Sequence, residues 1–131
     1  MRNLLTQLLG GMEAMADVIP TAATGPMATP LQKAFIREML MGQDPEGYVA
    51  NCRAIENAVP PKYGDVRAPM LVIAGEADKS APLEGCKFIL EKLGSKEKRL
   101  ALLEGVGHWH CIESPEQVGA LVKEFCDRLQ I

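Results

Sequence analysis

The 131-residue chain is mildly acidic, with a formal net charge of −3, 47% apolar residues and 24% charged residues. This composition is typical of one globular domain and excludes a disordered chain. The Lys and Arg residues are scattered, so there is no electrostatic footprint for nucleic acid, and no apolar run approaches the length of a membrane span. We therefore expect neither a nucleic acid nor a membrane as a partner.

The cysteines give no sign of a metal site. No two of Cys52, Cys86, Cys111 and Cys126 have the CxxC spacing of zinc or thioredoxin-type sites. The first residues lack the uninterrupted apolar core and the cleavage site of a signal peptide. We expect reduced, mostly buried thiols in a cytoplasmic protein that holds neither a metal nor a cofactor.

Helical patterns fill residues 1–67. The first helix should stop at Pro20, and the second should use Thr29 as its N-cap and end before Gly42. A third helix should start at Asp44-Pro45 by the same cap chemistry. The apolar periodicity predicts these inner positions: Leu4, Leu5, Leu8, Leu9, Met12 and Met15 in the first helix; Leu31, Ala34, Phe35 and Met39 or Leu40 in the second; Tyr48, Val49, Cys52 and Ile55 in the third.

Residues 68–131 alternate strand and helix. The apolar run 70–74, between Pro69 and Gly75, predicts a strand buried on both faces of a parallel sheet. A helix over 83–93, a strand over 99–103 and a last helix follow. Ser114 suits the N-cap of that last helix, and Gln117 would complete a capping box. This order predicts an α/β fold with a right-handed, parallel strand–helix–strand–helix unit.

Two polar side chains follow the predicted strands. Asp78 lies in the loop after the first strand and His108 in the glycine-rich loop after the second. Loops at the carboxyl ends of parallel strands share one edge of the sheet, so we expect the two residues to meet. A carboxylate beside an imidazole fixes its tautomer and stabilises its protonated form, as a catalytic base requires. The alternatives are a loop histidine without a function and a carboxylate that only caps a helix.

Two neighbours complete this set of candidates. Glu76 is the rival acid, ranked below Asp78. Trp109 either shapes a substrate pocket beside the base or packs under the loop with its N–H bonded. Cys111, three residues from His108, is a weaker candidate, because catalytic Cys–His pairs are usually distant in sequence.

The pattern Gly75-Glu76-Ala77-Asp78, followed by Gly105-Val106-Gly107-His108, resembles the C-terminal part of an α/β-hydrolase. It is similar to the branch of 3-oxoadipate enol-lactonases and related carboxylesterases. The resemblance implies that Asp78 is the acid and His108 the base of a Ser-His-Asp triad, and it gives His110 no triad role. It also implies a helical lid over residues 1–67, followed by the distal part of the hydrolase core over residues 68–131.

The nucleophile of that family has no counterpart in this sequence. Its Gly-x-Ser-x-Gly elbow belongs before the lid, and the serines here, Ser80, Ser95 and Ser114, sit in no such turn. The resemblance therefore implies hydrolysis of a small-molecule carboxylic ester or lactone only if a serine-bearing half completes the site. The chain could then be a fragment, a truncated product or one half of a split enzyme, with little activity alone. The alternative is a catalytically inactive association module, as a homodimer or as the subunit of a split hydrolase.

Overall fold

The computed structural model describes residues 11–130, which divide into two compact units. One unit holds residues 11–22 and 29–60, and the other holds residues 23–28 and 61–130. The predicted helical positions before Gly11 lie outside the described residues. Within this described range no helix is long and apolar enough to span a bilayer.

The first unit consists of helices α1 (Gly11–Ala22), α2 (Pro30–Met41) and α3 (Pro45–Glu56). The start of α2 is a complete capping box, because the Thr29 hydroxyl accepts from Gln32 N and the Gln32 side chain accepts from Thr29 N. Asp44 caps α3 by accepting from Gly47 N at 2.8 Å. The predicted starts of both helices are therefore confirmed.

Two predictions for the first unit are wrong. Pro20 does not end α1 but lies inside it and is buried. It removes only one backbone donor in the last turn, and burial of its ring offsets that loss. The inner face of α2 carries Ile36 and Leu40, whereas Leu31 is 79% exposed and Phe35 is 56% exposed. Leu40, one of the two alternatives predicted for the last inner position, is buried as expected. Because apolar residues lie on several sides of α2, the apolar periodicity placed the other inner positions wrongly, and Leu31, Ala34 and Phe35 are exposed.

The second unit contains two parallel strands, β1 (Met70–Gly75) and β2 (Lys98–Leu103). Their register pairs Met70 with Lys98 and Gly75 with Leu103, so both strands end at the same level. Between them, α4 (Leu83–Lys92) packs on both strands. Helices α5 (His110–Glu113) and α6 (Pro115–Leu129) follow β2, and a short 3-10 helix spans Tyr63–Asp65. The predicted parallel strand–helix–strand–helix order is confirmed.

Strand β1 is less covered than its sequence predicts. Only Ala74 and Gly75 are buried, and the preceding residues 70–73 are half-buried. Among the described residues β1 pairs with β2 alone, so its other edge has no neighbouring strand. The apolar residues of β1 are therefore only partly removed from water.

The prediction of mostly buried thiols is wrong. All four cysteines are free thiols and none is buried; Cys111 is exposed and the other three are half-buried. The half-buried positions follow from their place on thinly covered helices. At the start of α6 the Ser114 hydroxyl bonds to the Gln117 side chain at 2.8 Å, and its side chain makes no capping bond to the backbone. The predicted capping box is thus not formed.

The buried face of α2 generates a stability prediction. Replacement Ile36→Ala should lower the free energy of unfolding by about 2–5 kcal/mol, because it opens a cavity at a fully buried position. Replacement Leu31→Ala on the same helix should change it by less than about 0.5 kcal/mol, since that side chain is exposed. Urea unfolding of both variants measures the difference, and equal losses would contradict the observed packing face.

Candidate active site

Asp78 and His108 lie in loops that leave the same end of the sheet. Asp78 is three residues beyond the end of β1, and His108 is five residues beyond the end of β2. The Asp78 Oδ2 atom is 2.9 Å from His108 Nδ1. The Asp78 side chain is 1% exposed, whereas that of His108 is 45% exposed. The structure thus places a buried carboxylate behind an imidazole that faces solvent.

The second oxygen of Asp78 is held by the backbone. Its Oδ1 atom accepts from Ser80 N at 2.8 Å and from Ala81 N at 2.9 Å. Burial alone would raise the pKa of Asp78, but the hydrogen bonds from Ala81, His108 and Ser80 outweigh it and the pKa is lowered. An ionised carboxylate can only accept, so Nδ1 carries the proton and Nε2 is the basic nitrogen of a neutral His108.

Glu76, the rival acid, points to a different partner. Its Oε2 atom accepts from Gly105 N at 2.9 Å. The backbone after β1 also binds the end of β2 and the loop beyond it, because Glu76 N donates to Leu103 O and Ala77 N donates to Val106 O, both at 2.9 Å. Glu76 therefore fixes the glycine turn ahead of His108, and it is Asp78 that reaches the imidazole.

The loop that carries His108 is packed between two other backbone segments. A Cβ atom on Gly25 would lie 1.9 Å from Gly105 O, and one on Gly75 would lie 2.4 Å from Gly107 O. Only glycine permits such close approach of main chains. The segment 23–28 also binds this loop directly, because His108 N donates to Ala23 O at 2.8 Å.

Glu113 is a site residue that the sequence reasoning missed. Its Oε2 atom accepts from Gly25 N at 2.7 Å and from Gly107 N at 2.9 Å, and its Oε1 atom accepts from Trp109 N at 3.0 Å. Its contact with Gly25, 88 positions earlier, has no sequence signal.

Trp109 lies beside the imidazole. The two rings are edge to face, with centroids 6.4 Å apart and an interplanar angle of 85°. The Trp109 Nε1 atom is buried without a hydrogen-bond partner among the described residues, and so is His110 Nε2. The alternative in which the indole packs under the loop with its N–H bonded is therefore not what the structure contains.

The serines of the chain are engaged elsewhere. The Ser95 hydroxyl donates to Glu97 O at 2.8 Å, the Ser114 hydroxyl binds Gln117, and the backbone of Ser80 binds Asp78. No hydrogen bond joins a serine to His108 in the described part of the chain. That same part contains no cluster of three or more His, Cys, Asp or Glu side chains able to hold a metal ion.

The fold matches the distal part of the α/β-hydrolase fold, as solved structures with that fold show. An enol-lactonase from Burkholderia xenovorans LB400 is 26% identical, with a TM-score of 0.83 over 94% of this chain and 48% of its own. A thermophilic esterase from Thermogutta terrifontis is 20% identical, with a TM-score of 0.80 over 92% and 46%. The esterase from Exiguobacterium antarcticum is 14% identical, with a TM-score of 0.82 over 95% and 46%.

These matches confirm the resemblance to the C-terminal part of α/β-hydrolases. The chain spans about half the length of the solved structures that it matches. Neither a protein-family model nor a curated protein matches the sequence. The comparisons therefore bear on the fold, and the roles of Asp78, His108 and Trp109 are argued from the geometry.

The lowered pKa of Asp78 predicts a pH-dependent contribution to stability. Replacement Asp78→Asn should cost about 1.5–3 kcal/mol at pH 7, because bonds to a charged acceptor are lost. A carboxyl whose pKa is lower in the folded state than its ordinary 3.8 stabilises above that value. The contribution is lost as pH falls through the folded-state pKa, so the stability difference between parent and variant should shrink as pH falls below 3.8.

Urea unfolding at pH 7 and at low pH measures this convergence. The exposed Asp65 offers a matched control, because Asp65→Asn removes a surface carboxylate outside the site. A gap between parent and Asp78→Asn that stays constant from pH 7 into strong acid would show that the charge of Asp78 contributes nothing.

Proposed function

We propose that this chain supplies the acid and the base of a Ser-His-Asp triad that hydrolyses a carboxylic ester or lactone. The proposal rests on the 2.9 Å hydrogen bond from His108 Nδ1 to the buried Asp78. The bond orients the ring, leaves Nε2 basic and places a negative charge behind the imidazolium that forms during reaction. In this reading residues 1–67 are the lid, and the protein works in the cytoplasm.

The nucleophilic serine comes from a Gly-x-Ser-x-Gly half that this chain does not contain. In acylation, His108 Nε2 takes the proton as the serine oxygen bonds to the carbonyl carbon. The tetrahedral intermediate then collapses, the bond to the alkoxy oxygen breaks, and the imidazolium of His108 returns the proton to that oxygen. In a lactone the leaving hydroxyl stays attached to the acyl group.

Deacylation repeats these proton transfers with water. His108 Nε2 removes a proton from water as the water oxygen bonds to the acyl carbon. The bond to serine then breaks, and the imidazolium protonates the serine oxygen, which regenerates the site. Asp78 keeps its negative charge throughout and stabilises the imidazolium in both halves of the cycle.

Trp109 is the proposed substrate contact of this chain. Its ring lies edge to face with that of His108. A flat apolar surface beside the base suits the acyl or alcohol part of a small ester. The 26% identical enol-lactonase supports a lactone as one substrate class.

A fusion experiment tests the triad. The half of an α/β-hydrolase that contains the Gly-x-Ser-x-Gly turn is joined ahead of residue 1. This fusion should hydrolyse p-nitrophenyl acetate and be labelled by a fluorophosphonate. The chain alone should not be labelled, because no described serine is bonded to His108. In the fusion, His108→Gln or Asp78→Asn should lower kcat by about 10³–10⁴-fold.

His110→Gln is the matched control, since it alters the histidine two positions further along and should leave kcat within a factor of about three. An active fusion that keeps its kcat after Asp78→Asn and after His108→Gln would remove both residues from the triad. Stoichiometric labelling of the chain alone at Ser80, Ser95 or Ser114 would require a different nucleophile.

A second candidate function is association without catalysis. Strand β1 is apolar yet only half-covered, and it has one paired edge in the described sheet. Helix α2 also exposes Leu31, Phe35 and Met39, at 79%, 56% and 42%. Burying one such side chain yields about 1.5–3 kcal/mol, which favours binding to a second copy or to a serine-bearing chain.

Sedimentation over a wide concentration range tests this association. We expect dimers or larger species at micromolar concentration. Replacement Phe35→Ser should shift the population towards monomer, since it removes exposed apolar surface. The exposed neighbour Glu38 offers the control Glu38→Ser. A single monomeric species that unfolds cooperatively would rule out self-association.

A further inference from the structure

We propose that Glu113 is a positioning residue for His108, acting through the backbone on both sides of that histidine. The role of His108 as base rests on the proposed function. The positioning itself rests on hydrogen bonds of the structure and is measurable without any catalysis.

In the loop that carries His108, here called the base loop, three successive N–H groups have identified acceptors. Gly107 N and Trp109 N donate to the two oxygens of Glu113, at 2.9 and 3.0 Å. His108 N, between them, donates to Ala23 O at 2.8 Å. Glu113 thus holds the peptide unit that follows His108 and the one that precedes Gly107, and Ala23 O holds the unit between them. The direction of the His108 side chain follows from these peptide units.

The same carboxylate joins this loop to a distant segment. Gly25 N donates to Glu113 Oε2 at 2.7 Å, the shortest of the three bonds. The segment of Gly25 also supplies the Ala23 carbonyl that binds His108. Glu113 therefore holds His108 in two ways. It binds the N–H groups of Gly107 and Trp109, on either side of His108, and it also binds the segment whose Ala23 carbonyl accepts from His108 N.

The chemistry of the site requires a carboxylate. Three N–H donors converge on two oxygens, and ionised Glu has about four lone-pair sites and no donor. In the variant Glu113→Gln, one oxygen is replaced by an NH₂ group that faces a backbone N–H. At least one buried donor then loses its acceptor, and hydrogen bonds to a charged group are the stronger kind.

Glu113 belongs to the single-turn α5 and directly precedes Ser114, the N-cap residue of α6. Its two side-chain oxygens accept from the backbone N–H groups of Gly25, Gly107 and Trp109.

Loss of Glu113 should therefore affect the hydrogen bond between His108 and Asp78. That bond is 2.9 Å long, and a displacement of the loop by about 1 Å takes it beyond hydrogen-bond reach. Asp78 is held independently by Ser80 N and Ala81 N, so loss of Glu113 moves the base and leaves the acid in place.

Nuclear magnetic resonance of the full ¹⁵N-labelled chain tests the positioning. In the parent, the proton on His108 Nδ1 should give a low-field signal protected from solvent exchange. In Glu113→Gln this proton should exchange about tenfold faster, or its signal should disappear. In Glu116→Gln, which removes an exposed carboxylate three residues further along, the signal should be unchanged.

Two further variants separate positioning from general destabilisation. Ile36→Ala lowers stability in the other unit and should keep the His108 signal. If Glu113→Gln does not fold, Glu113→Asp carries the test, because it keeps the charge and shortens the reach by one methylene. An unchanged Nδ1 proton in a folded Glu113 variant, or an equal loss in Glu116→Gln, overturns the proposal.

The two experiments distinguish failure of the positioning role from failure of the proposed hydrolase function. If the Nδ1 signal responds to Glu113 but the serine fusion hydrolyses no ester, positioning stands and the hydrolase assignment fails. If the fusion is active but the signal ignores Glu113, the hydrolase assignment stands and the positioning role fails.

Discussion

The site depends on the close packing of glycine main chains around the loop that carries His108. Gly107 lies against Gly75 on one strand end and against Gly25 on the segment 23–28, at distances that exclude a Cβ atom. Gly105 turns the loop in the left-handed region, with φ +67°. Main chains that approach this closely exclude water from their N–H groups, so each group requires a partner within the protein. The carboxylates of the site satisfy that requirement.

Asp78 and Glu113 meet this requirement in different ways. Asp78 uses one oxygen for two backbone donors and keeps the other for the imidazole, so it is both an anchored group and an electrostatic partner. Glu113 uses both oxygens on the backbone. The first therefore determines which ring nitrogen of His108 carries the proton, and the second holds the backbone that places the ring. An acid–base pair needs both, because a correct tautomer in a displaced ring transfers no proton.

Parts of the structure that are built by local interactions can be predicted from the sequence, whereas parts that depend on contacts between distant residues cannot. Helix starts such as Thr29-Pro30 and the β1 run were predictable, because caps and strand patterns are local. Asp78 is ranked above Glu76 from the family pattern, and it is Asp78 that contacts the imidazole. The buried face of α2 was predicted wrongly, since a helix apolar on several sides has no unique stripe. Glu113 was missed, because its partner Gly25 is distant in the chain and glycine has no side chain to signal the contact.

One pair of parallel strands is enough to bring an acid and a base together. The register sets Gly75 opposite Leu103, so the loops to Asp78 and His108 begin at the same level and need only a few residues to meet. No bond of the pair involves a third strand. Residues 70–73 of β1 are apolar and only half-buried in the described sheet. The contact between acid and base is thus formed by local geometry, whereas the proposed hydrolysis would also need a nucleophile at the exposed side of His108.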